Sequence, residues 1–248
     1  MSDARTTESA ATISPGAARL SMAAATTYQA TLIALIFIRP DLDPSWHTIS
    51  EWAIGPHGWV MSTAFLVSAV SYAALSVLLK SQVRGRAGHV GLGLLLVCVV
   101  GTVGVGVFTT DPLELMATQS APSAIGTLHI LFGTTALLLL PFAALLVNLS
   151  LALQNDAWSP ARRVLLWTAG VPLIGLAGFL VHLAIFVIPL GNRAHGPGVP
   201  LGWPPRFLLL TYMVWLITLA WQAIGLRRRA REERSCLPAP SSARVTGS

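Results

Sequence analysis

Charge is what this chain has least of. Only 10% of its 248 residues are Asp, Glu, Lys or Arg, against roughly a quarter in soluble domains, and 54% are hydrophobic. No water-facing surface can be dressed from that inventory, so a soluble domain is excluded and lipid becomes the solvent. Cysteine is nearly missing as well. Cys98 lies inside an apolar run and Cys236 in the polar tail, which excludes a mutual disulfide and points to no redox chemistry. Outside the apolar runs there is no Gly-rich phosphate loop, no Gly-x-Ser-x-Gly elbow and no dinucleotide fingerprint. His-Glu-x-x-His and Cys-x-x-Cys spacings are missing too. Strict apolar–polar alternation, which a membrane β-barrel requires, appears in none of the runs.

What is present is a series of six long apolar runs, at about 21–38, 58–79, 89–109, 127–150, 164–188 and 207–226. Crossing a hydrocarbon core of roughly 30 Å takes about 20 such residues as a helix. The expected fold is therefore an all-α integral membrane bundle of about six transmembrane helices. The first run could pass for a signal peptide, but Arg39-Pro40-Asp41-Leu42-Asp43 lacks the small-residue cleavage pattern, so it counts as a span. Residues 1–20, rich in Ala, Ser and Thr, read as a disordered lead, 21–226 as the transmembrane domain, and 227–248 as a basic and then disordered tail.

The net charge of +6 does not indicate nucleic acid, because the basic residues sit where topology places them. Lys80, Arg84, Arg86, Arg162, Arg163, the Arg227–Arg234 group, Arg5, Arg19 and Arg244 fall on one side, leaving Arg39, Arg193 and Arg206 opposite. The positive-inside rule then predicts that both termini are cytoplasmic. Arg227, Arg228, Arg229 and Arg231 form a juxtamembrane cluster suited to anionic lipid headgroups.

Local signals divide the loops. Asp43-Pro44, Asp111-Pro112 and Ser159-Pro160 each fit an N-cap followed by proline in the first turn. Thr48 to Glu51 fits a capping box, predicting a short interfacial helix with Trp46 and Trp52 at headgroup depth. Glycines in span three (Gly91, Gly93, Gly101, Gly104, Gly106) predict close helix packing, and Pro141 and Pro172 fit either interruptions of the kind found in broken transporter helices or simple kinks.

Five of the six histidines (His47, His57, His129, His182, His195) fall on or near the outer side with Asp41, Asp43, Glu51, Asp111 and Glu114. Ionisable groups inside spans are functional candidates by default, which singles out His129 and His182. One reading is a metal or proton-handling site in which His129 and His182 converge with Asp111 or Glu51, with Asp111, His129 and His182 as the metal candidates. The other is that each histidine bonds a hydroxyl or carbonyl on a neighbouring helix, with Ser68, Ser71 and Tyr72 available, and that Glu51 and Asp111 are caps.

The string Thr48-Ile49-Ser50-Glu51, then Gly55, Gly58-Trp59 and Phe65, read together with Phe108, Asp111-Pro112 and Gly126-Thr127-Leu128-His129, resembles the prokaryotic membrane family called domain of unknown function 998. The resemblance runs from about Ala25 to Leu226. It implies a six-helix protein of a prokaryotic plasma membrane and carries no activity. Ser50, Glu51, Asp111 and His129 match the family pattern, whereas His182 and the loop 189–205 do not. The leading expectation is a non-enzymatic protein with a small outer polar pocket, moving a small solute or assisting another membrane component. The alternative is an intramembrane metal-dependent lipid hydrolase or transferase built on Ser50, Asp111, His129 and His182.

Overall fold

The computed structural model describes residues 12–112, 121–193 and 196–236. Within them, six helices are long and apolar enough to cross a bilayer, and no strand occurs among the described residues. They comprise α1 (Pro15–Ile38), α2 (Gly58–Leu79), α3 (Gly85–Val107), α4 (Ala124–Gln154), a fifth span divided into α5 (Arg162–Ala169) and α6 (Val171–His182), and α7 (Trp203–Cys236).

Helix ends depart from the apolar runs wherever capping chemistry overrides hydropathy. Ser14 Oγ accepts from Ala17 N at 3.3 Å and Pro15 opens the first turn, so α1 takes in residues 15–20, which read as disordered lead. Ile13 is fully buried, and its carbonyl accepts from Arg227. That arginine thus ties the start of the chain to α7 as well as standing in the basic cluster. The tail is helical as far as Cys236 because its Arg, Ala and Glu residues are good helix formers and Arg228 pairs with Glu232 one turn on at 3.0 Å. Residues 1–11 and 237–248 lie outside the described residues, and so do Glu114 and His195 of the expected outer cluster. Ser159 is not a helix N-cap. Asn155 caps a 3-10 helix, Asp156–Ala161, that already contains Ser159 and Pro160.

The two prolines act differently. Pro141 inside α4 cannot donate to the carbonyl of Leu137 one turn back, and the Tyr212 hydroxyl of α7 donates to that carbonyl at 2.6 Å. Pro172 stands in the first turn of α6 just after Gly170, the C-cap of α5, so it marks a break in the fifth span.

The α3–α4 pair makes the most extensive contact. Gly88, Gly91, Gly101 and Gly104 all face α4 so closely that a Cβ would collide with it, whereas Gly93 faces open space. Several buried polar side chains find partners within the bundle. Asn148 Nδ2 donates to the Leu165 carbonyl at 2.8 Å and to Thr168 Oγ1 at 3.1 Å, while its Oδ1 accepts from Trp215 Nε1 at 3.0 Å, joining α4, α5 and α7. Thr12, Gln82, Asn155, Trp158 and Arg227 meet at one end of the bundle. At the other end are loop one (residues 39–57, between α1 and α2), the end of α3 and the starts of α4 and α7, and there the site is found.

Candidate functional site

Loop one is held from several directions. Arg39, 7% exposed, donates through Nε and Nη2 to Asp41 at 2.7–3.1 Å, and its Nη1 reaches the carbonyls of Ile54 at 2.8 Å and Pro56 at 3.0 Å. The same guanidinium holds the Asp41 carboxyl below its ordinary range. This link therefore stabilises above the unfolded value of about 3.9 and fades as pH falls through the lowered folded value. Asp43 Oδ1 accepts from Ser45 N at 2.8 Å, closing a local turn rather than capping a helix, and that bond lowers its carboxyl as well. Arg206, in the first turn of α7, donates to the carbonyls of Gly202 at 2.6 Å and His47 at 3.1 Å and lies 4.1 Å over the Trp52 ring. Gly202 N donates back to Ser45 O at 3.0 Å.

Arg39→Ala leaves two loop carbonyls and Asp41 without their charged partner. It should cost about 1–3 kcal/mol and speed amide exchange across residues 40–57, read by hydrogen–deuterium exchange.

Within this frame the capping box forms as the sequence predicts. Glu51 accepts from Thr48 N at 2.8 Å and caps the 3-10 helix Ile49–Ala53. That short helix presents Ser50 to His129.

His129 stands in the second turn of α4, 4% exposed. Its Nδ1 lies 2.7 Å from the Phe108 carbonyl at the C-cap of α3, and its Nε2 lies 2.9 Å from Ser50 Oγ. A carbonyl can only accept, so Nδ1 carries the proton, and in the neutral ring Nε2 is then the acceptor for the Ser50 hydroxyl. Phe65 packs edge-on against the imidazole, with centroids 6.4 Å apart. A hydroxyl, a ring nitrogen aimed at it and a fixed group behind the ring form the arrangement that activates a serine, here with a main-chain carbonyl in the third position.

Asp111 and His182 sit elsewhere. The Asp111 carboxylate accepts from Ser123 N at 2.8 Å and Ser123 Oγ at 2.7 Å, and Ser123 Oγ accepts from Gly126 N as the N-cap of α4. Asp111 therefore braces the cap of the helix that carries His129. A Cβ at Gly126 would occupy the space of that carboxylate. His182 Nε2 lies 2.7 Å from the Pro200 carbonyl and so donates to it, joining α6 to the last loop. Ser50 and His129 are brought together while Glu51 is held on Thr48, and Asp111, His129 and His182 are engaged with three different partners. Among the described residues no three His, Cys, Asp or Glu side chains gather as a metal would need. Ser71, offered by the sequence as a partner for a histidine, donates instead to the Ser21 carbonyl at 2.9 Å.

Sequence reasoning expected a small polar pocket at this end and missed the size and apolar lining of the space beside the pair. Ser50 and His129 line a cavity of about 580 Å³ whose walls are mostly apolar and come from every span, with Tyr28, Tyr72 and Tyr212 on its inner side. Its residues lie on distant stretches of chain, so no local pattern announces it.

These features define a multi-pass helical membrane protein with a Ser–His pair on the wall of an apolar cavity. The chain belongs to the family described as Protein of unknown function (DUF998), whose profile matches residues 22–222. Comparison with curated proteins and with solved structures found no match.

Proposed function

We propose that this protein is an intramembrane acyl-ester hydrolase or acyltransferase in which Ser50 is the nucleophile and His129 its base. The observation that carries the reading is the 2.9 Å approach of Ser50 Oγ to His129 Nε2, with Nδ1 fixed on the Phe108 carbonyl, on the wall of a large apolar cavity. Mostly apolar walls favour a ligand with a hydrocarbon body over the small solute in a polar pocket that the sequence suggested first. Metal participation finds no support in the dispersed carboxylate and imidazole groups, and the chemistry needs none.

Ser50 Oγ attacks the ester carbonyl carbon while its proton passes to His129 Nε2. The tetrahedral intermediate collapses, the carbon–oxygen bond to the alcohol breaks, and the Nε2 proton goes to the departing oxygen. Water, or the hydroxyl of an acceptor alcohol, then attacks the acyl-serine, giving its proton to Nε2, which returns it to Ser50 Oγ. The Phe108 carbonyl holds the ring and accepts from Nδ1–H throughout. The distribution of basic residues supports an orientation with this end outside and both termini cytoplasmic, with the Arg227, Arg228, Arg229 and Arg231 cluster toward anionic headgroups, in what the family resemblance implies is a prokaryotic plasma membrane.

The test is covalent. Purified protein in lipid nanodiscs is treated with an alkyl fluorophosphonate, which phosphonylates only activated serines. One adduct is expected, on the peptide carrying Ser50, and Ser50→Ala should abolish it. Folded protein that takes no label, or labels equally in the variant, removes the reading.

A further inference from the structure

We infer that the substrate is an ester-linked membrane lipid and that it enters sideways from the bilayer, through a mouth between α4 and α6. The inference rests on the Ser50–His129 reading for the bond attacked, but the route is argued from the cavity alone.

Exposure divides the cavity wall into two parts. Tyr28, Tyr72 and Tyr212, on α1, α2 and α7, are at most 3% exposed and form the inner wall. Ile130 and Leu138 on α4 and Leu180 on α6 line the same cavity, yet are 42%, 36% and 45% exposed. A residue that both lines a cavity and faces outward stands at its opening, so the opening lies between α4 and α6. These two helices also meet over a far smaller area than α3 and α4 do, and the fifth span is the least buried of the six.

Depth decides what the opening faces. At 1.5 Å per residue, Ile130 lies about 9 Å and Leu138 about 21 Å along α4 from Ala124. Both distances fall within a hydrocarbon core of roughly 30 Å. The mouth therefore meets acyl chains, and a water-soluble ligand would have to leave water to reach it. The reacting pair sits at the upper rim of the opening. His129 precedes Ile130 by one residue, and Trp59 and Trp203, 70% and 43% exposed near the starts of α2 and α7, mark the interfacial level just above. Ester carbonyls of bilayer lipids lie at that same boundary between headgroup and chain. A lipid that slides in with its tail along the inner wall brings its ester to Ser50 without leaving its natural depth.

The experiment uses nanodiscs of phosphatidylcholine containing a fraction with a photoactivatable diazirine near the end of one acyl chain. Irradiation of the full-length protein is expected to attach lipid to inner-wall peptides, those carrying Tyr72 or Tyr212, as well as to the outer faces. Leu180→Trp and Ile130→Trp narrow the mouth and should each lower the inner-wall adducts at least fivefold, whereas Ser50→Ala should leave them unchanged. Adducts confined to lipid-facing surfaces in the wild-type protein overturn the inference, and so do inner-wall adducts that neither tryptophan reduces. Lipid reaching the inner wall of a protein whose Ser50 takes no fluorophosphonate keeps the entry route and removes the hydrolase reading. Labelled Ser50 without inner-wall adducts does the reverse.

Discussion

Gly101→Leu should lower the melting temperature by several degrees and loosen the Ser50–His129 pair, although Gly101 touches neither of its members. A Cβ at this position would stand 2.8 Å from the Phe132 carbonyl oxygen and 3.0 Å from Ala136 Cβ on α4. The first obstacle is main chain, so no rotamer change relieves it and α3 must move away from α4. Overpacking of this kind costs about 1–3 kcal/mol. In a chain of this size each kcal/mol lowers Tm by roughly 2–4 °C. Lipid supplies no hydrophobic force to reseat the helices, because close contact between small residues is itself the source of attraction. The Phe108 carbonyl rides on the end of α3 and His129 on α4, so the same displacement lengthens the 2.7 Å bond that fixes the imidazole. Fluorophosphonate labelling of Ser50 should slow with the fall in Tm. Gly93→Leu supplies the control, since nothing lies within 4 Å of a Cβ there. Equal thermal shifts for the two variants would show that the packing argument is wrong.

What the sequence reveals follows the range of the interactions involved. Apolar runs report the solvent directly, which is why the six spans are legible, but hydropathy marks where the chain is greasy and not where a helix ends. Pro15 and Cys236 extend α1 and α7 beyond the runs because Ser14 and the Arg–Glu register act outside the hydrocarbon. The Thr48–Glu51 box is complete within four residues, so spacing alone reveals it. Ser159 shows how a local signal misleads when a better cap, Asn155, starts the turn four residues earlier. Asp111 was legible as a capping residue but not as the brace of a cap belonging to another helix, with the intervening residues 113–120 outside the described chain. The pairing of Ser50 with His129 spans 79 positions. The group behind the imidazole is a main-chain oxygen, which leaves no side-chain signature at Phe108. His182 stood out only for being an ionisable group within a span, and it serves to hold a loop.

His129→Ala should slow phosphonylation of Ser50, and hydrolysis of an acyl ester presented in nanodiscs, by about 10²–10⁴-fold. The variant loses the acceptor that takes the Ser50 proton and leaves the Phe108 carbonyl with one partner fewer. A structural tie between loop one and α4 would also be weakened by the substitution, so a single rate does not identify a working pair. A double-mutant cycle does. Ser50→Ala should abolish ester turnover yet change stability little, since an interhelical hydrogen bond in a membrane averages about 0.6 kcal/mol and the Nδ1 bond to Phe108 survives. Residues acting as one machine lose nearly everything at the first substitution, so the double variant should be no slower than Ser50→Ala alone. Residues that merely stabilise the fold should multiply their effects instead. Lower pH should slow the wild-type reaction too, because a proton on Nε2 removes the acceptor, and this acid limb should disappear in His129→Ala. Multiplicative losses, or an acid limb that persists without the imidazole, would leave Ser50 and His129 as a brace for loop one and place the chemistry of the cavity elsewhere.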